Sequence, residues 1–442
     1  MWTLARIKRS RLLADLARRT PWRYPALRER LAALERASLT ERRDFAAARL
    51  RRVLAAAATS AHGRAHAGRP LSAWPMPTSA EVRGREADFV AGSRWLGRRL
   101  GVPATTSGTT GTPLALRRPF AALPLEQAMI DGVLASAGVD ARSDRIAVLR
   151  GDPISGGVQA WRVVEGGRRL VMGANALGLD NVAAYVAALA EYGPRCLSAF
   201  PSSLHALCAL MRLAGLRLHI PLALTSSEVL EPATVALAKQ VLGCRIVDHY
   251  GQAERVAFAA DLGDGYRFLP GYAWIELPFV TERDGEALHE IVGTSLWNTL
   301  MPLVRFRTGD LIAVAAGTTL AQLEEIRFGL RPVPRIIGRL DGAWVDGPDQ
   351  RRITGLSALL SDARRVQRWQ IVQEAPGDLR LLIIPEPGFE ARDVDRALAS
   401  ARARLPAAVG VRIEVVDRLE RTAAGKAPFV LRRRQDAAAR VA

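Results

Sequence analysis

RCLSAFPSSLHALCALMRLAGLRLHIPLALTSSEVLEPATVALAKQVLGCRIVDHYGQAE, residues 195–254, alternates short apolar runs with helical stretches. The runs are Cys196–Phe200, Leu222–Thr225 and Arg245–Val247, and the predicted helices are Ser202–Ala214 and Pro232–Leu242. Upstream the rhythm continues, with a run at Arg145–Leu149 and helical stretches at Pro124–Ala137 and Asn181–Tyr192. Strand then helix, repeated, predicts an α/β fold built on parallel strands.

On the N-terminal side, residues 1 to about 62 read as helical. Ser38 and Glu41 have capping-box spacing, and Phe45, Leu50, Val53, Leu54 and Ala57 follow on one side of a helix. Residues 63–77 read as a linker, and Thr78 with Glu81 marks another helix start. On the C-terminal side, residues 266–315 are strand-rich and predict a β subdomain. From RIIGRLDG onward a compact α+β unit is expected: a helix at Leu356–Asp362, strands at Gln367–Glu374 and Leu379–Ile384, a helix at Ala391–Leu405 and a strand at Val411–Val416. The expected division is a helical segment 1–100 packed on a large domain 101–338, followed by a small mobile domain 339–442.

The chain has 442 residues, 49% hydrophobic and 24% charged, which is globular composition and excludes wholesale disorder. No run approaches the roughly 20 apolar residues of a membrane helix. Arg and Lys break the apolar runs of the N-terminus, so no signal segment is expected. Three cysteines without a CxxC argue against a disulfide framework or structural zinc, and point to a reduced, cytoplasmic setting. The net charge of +18 favours anionic partners. Because arginines are scattered among acidic residues, no dedicated nucleic-acid or membrane partner is expected. Lys8, Lys239 and Lys426 are the only lysines.

TTSGTTGTP (Thr105–Pro113) combines glycines, which let backbone approach an anion, with hydroxyls that donate to phosphate oxygens. It lacks the spacing and lysine of a P-loop. DHYGQAE (Asp248–Glu254) follows the run RIV, at a strand end where ligands of open α/β sheets bind. Tyr250 offers a flat face for a base, and Glu254 a hard oxygen ligand for Mg²⁺. RFRTGD (Arg305–Asp310) ends in a carboxylate able to accept from ribose hydroxyls. GRLD (Gly338–Asp341) supplies an arginine and a pivot, and RTAAGKAP (Arg421–Pro428) sets Lys426 in a glycine-bearing loop. Taken singly, each is equally a turn, a helix start or a solvated tail; the ordered set is what points to a nucleotide site. The cysteines read as core, and His205 and His249 as structural, with His249 also a candidate wall of a substrate pocket. Phe200, Trp161, Asp248 and Gly271 mark other regions expected to contribute walls.

Together these segments resemble the AMP-forming, acyl-adenylate-forming ligases, and most closely the phenylacetate–CoA ligase and CapK-like branch. EIVGTSLWNTLMPLVRFRTGDL (Glu290–Leu311), AFPSSLHAL (Ala199–Leu207), TSSE (Thr225–Glu228) and WPMPTSAEVR (Trp74–Arg83) extend the likeness over nearly the whole chain. The resemblance implies that Thr106, Ser107, Gly108, Thr109, Thr110 and Gly111 cradle the ATP phosphates. It places Tyr250 and Gly251 against adenine with Ser226, Ser227 and Glu228 beside them. It gives Mg²⁺ to Glu254, the ribose to Asp310, and the ribose–phosphate region to Arg339. Asp341 would be the hinge, and Lys426 would reach the reacting carboxylate and α-phosphate. The implied activity is ATP-dependent activation of a small carboxylic acid followed by transfer to CoA. An amine or carrier-protein acceptor is the alternative, and a non-catalytic basic binding protein is a reading of a different class. Four positions depart from the family pattern. Ala253 stands where a phosphate-contacting Thr is common, Gly342 replaces a second Asp, and Ala427 follows the lysine. Residues 259–268 hold no Cys or His, so zinc is not expected.

Overall fold

The computed structural model describes residues 17–92, 101–106, 114–150, 160–283, 285–339, 345–349, 352–353, 356, 359–360, 362–421 and 427–433. Helices α1 (Tyr24–Arg36) and α2 (Leu39–Ala57) open it. The capping box at α2 forms as its spacing predicts: Ser38 N donates to Glu41 Oε2 at 2.8 Å, and Glu41 N donates to Ser38 Oγ at 3.4 Å. Ala46, Leu50, Val53 and Ala57 form its buried stripe. Thr78 and Glu81 also make a capping box, but the helix they start, α3 (Ser79–Val82), is a single turn. The expected linker 63–77 is tied down, with 3₁₀ turns at Gly63–His66 and Leu71–Ala73 and a buried Trp74.

A hairpin, β1 (Val102–Thr105) and β2 (Ala115–Arg118), precedes helix α4 (Ala122–Ser136). The main sheet then draws on β3 (Ile146–Arg150), β4 (Trp161–Val164), β5 (Arg169–Gly173), β6 (Cys196–Ala199), β7 (Leu222–Ser226), β8 (Arg245–Gly251), β9 (Phe258–Asp261) and β10 (Tyr266–Phe268). Their spatial order is β10-β9-β8-β7-β6-β3-β5-β4. The central strands β5, β3, β6, β7 and β8 are parallel, and the flanking pairs are antiparallel. The connecting helices are α5 (Val182–Tyr192), α6 (Pro201–Leu213) and α7 (Pro232–Leu242).

Alternation along the strands fills both faces. Ala147, Leu149, Leu197, Ala199 and Ala223 pack with α5, α6 and α7. Ile146, Cys196, Leu222, Leu224 and Val247 pack toward α4 and the β subdomain. Two boundaries differ from the sequence reading. Strand β8 runs on through Asp248–Gly251, because Asp248 and His249 still pair with Thr225 and Ser226 and all four residues pair with Phe258–Asp261. Tyr266–Phe268 joins the main sheet and not the subdomain.

The subdomain sheet holds β11 (Ala273–Glu276), β12 (Phe279–Arg283), β13 (Glu286–Ser295), β14 (Phe306–Ala315) and β15 (Arg335–Arg339), with helix α8 (Leu320–Arg327) between the last two. The C-terminal unit has a short pair, β16 (Val345–Asp346) and β17 (Arg352–Ile353). Its main sheet comprises β18 (Val366–Ala375), β19 (Asp378–Pro385), β20 (Gly410–Val415) and β21 (Val430–Arg432), packed on helix α9 (Ala391–Arg402). The expected helix Leu356–Asp362 lies partly outside the described residues. Strand β21, absent from the sequence reading, is a three-residue strand beside β18. No helix among the described residues is long and apolar enough to cross a membrane.

Candidate active site

In a parallel sheet all strand C-termini share one edge, where unpaired backbone and turning loops leave room for a ligand. Here that edge carries Arg150 (β3), Phe200 (after β6), Ser226 (β7) and His249–Gly251 (β8). Tyr250 and Asp310, 60 positions apart, meet across the seam between the main sheet and the subdomain. Tyr250 Oη donates to Asp310 Oδ2 at 2.7 Å. Gln252 Nε2 donates to the same phenol at 3.3 Å. Burial first, and then the Asp310 carboxylate, push the Tyr250 phenol well above its ordinary range, so it stays a donor.

Asp310 is aimed by its motif. Gly309 takes φ +75°, a left-handed conformation that costs glycine little, and Thr308 Oγ1 accepts Asp310 N at 3.0 Å. The arginines of the same motif are structural anchors. Arg305 Nη2 donates to Glu276 at 2.8 Å, and its Nη1 donates to the Ser72 and Trp74 carbonyls. Arg307 Nη2 donates to Glu290 at 2.7 Å. On the adjoining strand, Arg339 is the antiparallel partner of Asp310.

The β1–β2 hairpin stands beside this seam. Thr106 closes it, donating N–H to the Leu114 carbonyl and accepting Leu114 N on Oγ1 at 2.9 Å. Leu114 and Leu116 pack with Val256 and Phe306, and Ala253 joins that cluster. Arg118 donates to the Ala253 carbonyl, which sets its positive charge near the buried Glu254. Burial and the neighbouring Arg255 pull the Arg118 guanidinium down to about 10. Gly293 lets β13 press against this segment, since a Cβ there would collide with the Val256 carbonyl. Behind it, Tyr272 Oη donates to Glu126 at 2.6 Å, and Arg255 pairs with the same carboxylate at 3.3 Å.

A second group occupies the same sheet edge. The Arg150 guanidinium lies 5.0 Å from the Phe200 ring centre, and its Nη2 donates to Ser198 Oγ at 3.4 Å. His249, the register partner of Ser226, stacks on Phe258 at 5.2 Å. Burial and then Arg150 pull the His249 imidazole down to about 4, so the ring is neutral at pH 7. Of the other regions expected to supply pocket walls, Trp161 packs edge-on to Tyr185 among the helices of the opposite face. Asp248 is buried between the Thr225 and Tyr266 hydroxyls, and Gly271 abuts Leu34 and Phe45 of the N-terminal helices.

Residues 347–433 match the family model of the CapK C-terminal domain. The whole fold is similar to 2-hydroxyisobutyryl-CoA ligase in the postadenylation state. With R3-HIB-AMP the TM-score is 0.52 at 18% identity, covering 88% of this chain and 90% of that one. The complex of that ligase with 2-HIB-AMP gives the same values. Residues 347–433 are thus similar to the CapK C-terminal domain, and the chain as a whole shares the fold of that CoA ligase. O-succinylbenzoate coenzyme A synthetase from Bacillus subtilis, in complex with AMP, is also similar (TM-score 0.41, 16% identity, 74% of this chain and 67% of that one). No curated protein matches by sequence.

In this chain, Tyr250, Gly251, Asp310 and the Arg339 backbone gather at one seam, with Glu254 beside the hairpin. Ser226 is buried one strand over, and Ser227 turns the chain at φ +72°. Glu228 is engaged elsewhere: its carboxylate accepts Ser202 N at 2.9 Å and Ser202 Oγ at 3.1 Å on α6, and Ala427 N at 3.2 Å. Ser107, Gly108, Thr109, Thr110, Gly111, Asp341 and Lys426 lie outside the described residues, as does the Arg339 side chain. Sequence reasoning missed Arg118, Gln252 and Arg150. Gln252 sits within the quoted motif, but the two arginines are among dozens and carry no local signature. Among the described residues no cluster of three or more His, Cys, Asp or Glu is disposed to hold a metal.

Proposed function

We propose that the chain joins a small carboxylic acid to AMP, releasing pyrophosphate from ATP, and then transfers the acyl group to CoA. The observation that carries this reading is the Tyr250–Asp310 hydrogen bond, which joins two separately predicted nucleotide segments into one surface. In the chemistry implied, a carboxylate oxygen attacks the α-phosphorus, an acyl–phosphate bond forms and the bond to the β-phosphate oxygen breaks. Two anions must approach, so positive charge and hydrogen-bond donors are needed where the new bond forms. Asp310 accepts from the ribose hydroxyls and orients the nucleotide, while the Tyr250 ring supplies its flat face to adenine. Ser226, Ser227 and Gly251 shape the same edge, and Arg339 contributes charge toward the ribose and phosphates. The hairpin loop Ser107–Gly111 receives the leaving pyrophosphate, and Lys426 is the cation directed at the reacting carboxylate. The expected pivot between the two steps is Asp341.

Mg²⁺ is normally held by one or two carboxylates together with substrate phosphates, and a single buried carboxylate such as Glu254 fits that donor set. Bound there with ATP, the ion would neutralise phosphate charge. Arg150, Phe200 and His249 form the wall offered to the acid.

Acid-dependent pyrophosphate release across an acid panel tests the first step. Adding CoA, then amines, then a carrier protein identifies the acceptor. A sample that never consumes ATP with any acid would overturn the reading.

A further inference from the structure

We infer that Glu228 is a positioning residue that docks the C-terminal domain on the first turn of α6 for adenylate formation. The inference rests on the ligase reading above. It begins with a conflict of charge. The N-terminus of α6 presents unsatisfied N–H groups and the positive end of the helix dipole. Two arginines of the C-terminal domain approach the same turn. Arg421 Nη1 donates to Ser203 Oγ at 2.9 Å, and Arg368 Nη1 donates to the Ser202 carbonyl at 3.3 Å. Without a counter-charge these three positive elements repel one another.

Glu228 supplies it, arriving from the turn after β7. From the large domain its carboxylate accepts Ser202 N at 2.9 Å and Ser202 Oγ at 3.1 Å, and from the C-terminal domain it accepts Ala427 N at 3.2 Å. Its charge is also the leading attraction acting on both guanidinium groups. Ser202 and Ser203 are buried, so the contact is drier than a surface ion pair. Glu231 adds a lesser attraction on Arg368, but it is the Glu228 carboxylate that bonds both domains, so it turns a repulsive interface into a closed one. Ala427, the residue it holds, follows Lys426 directly in the sequence.

The test is Glu228→Gln in the full chain, read in three ways. The kcat for acid-dependent pyrophosphate release should fall roughly 10- to 100-fold, the scale of a lost charge-assisted contact, with the KM for ATP nearly constant. Acyl transfer to CoA from supplied acyl-adenylate should fall far less. Hydrogen exchange at the Ser202 and Ala427 amides should accelerate together. Arg421→Ala should reproduce the pattern, and the double variant should lose less than the product of the single losses. A raised KM for ATP with intact kcat would assign Glu228 to the nucleotide instead, and equal loss in both half-reactions would make its role merely structural. Unchanged exchange at both amides would overturn the docking. A wild type that consumes no ATP with any acid would overturn the ligase reading, while the exchange measurement would still decide the docking.

Discussion

Tyr250→Phe removes one oxygen and keeps the ring. In the native structure that oxygen donates to Asp310 at 2.7 Å and accepts from Gln252 at 3.3 Å. A hydrogen bond to a charged group contributes about 1.5–3 kcal/mol, and each 1.4 kcal/mol is a factor of ten. The variant leaves Asp310 short of its aiming donor while the face offered to adenine is untouched. ATP affinity should therefore weaken about 10- to 100-fold, with the KM for the acid nearly constant. Asp310→Ala should weaken ATP binding at least as much. Once Asp310 is alanine there is no carboxylate left for the phenol to aim, so removing the phenol as well should cost little and the two losses should be strongly less than additive. The assay is ATP titration by calorimetry, paired with initial rates of pyrophosphate release. Full additivity, or a Tyr250→Phe effect that falls on the acid and not on ATP, would refute the idea that these two residues act on the nucleotide as a unit.

Lys426→Ala should depress adenylate formation by roughly 10²–10³, as loss of one preorganised charge does, with a much smaller effect on transfer from preformed acyl-adenylate; stopped-flow of the two half-reactions decides it. Gly293→Ala should lower Tm and slow turnover together, because the added methyl meets the backbone carbonyl of Val256 beside the Glu254 segment; a variant with native Tm and rate would refute that packing. Burial, with Arg368 and then Arg212 for His205 and with Arg150 for His249, pulls both imidazoles down to about 4. Between about pH 4 and pH 6.5 the unfolded chain then binds more protons than the folded one, so these groups reduce stability as pH falls through that window. His205→Gln should flatten the fall in denaturant midpoint, and an unchanged slope would count against this. Burial also pushes the thiols up, Cys196 to about 12 and Cys244 to about 11, and all three cysteines are free and buried. A thiol reagent should therefore find three groups only after unfolding.

Within residues 195–254 the first two strands and both helices were legible to within a residue, because short apolar runs between helical patterns leave little choice of element. The capping box at Ser38 was equally plain, since it needs only residues three apart. Where neighbours in space decided the matter, the reading fell short. Asp248–Gly251 read as following the strand RIV at its C-terminal end but is strand itself, because flanking strands offer it ladder partners. The turn chemistry at Thr78 was right, yet no apolar run followed to prolong α3 past Val82.

The same division runs through the site. Local order along the chain was enough to nominate Tyr250, Glu254 and Asp310, since each sits in a short motif whose residue types suit a nucleotide. That Tyr250 touches Asp310, that Arg118 reaches the backbone beside Glu254, and that Glu228 faces the C-terminal domain depended on contacts 60, 135 and 199 positions apart. Residue type and periodicity are properties of neighbours along the chain. Which side chains share a low-dielectric space is settled only when the sheets pack, because that packing fixes both the distance between charges and the water left between them.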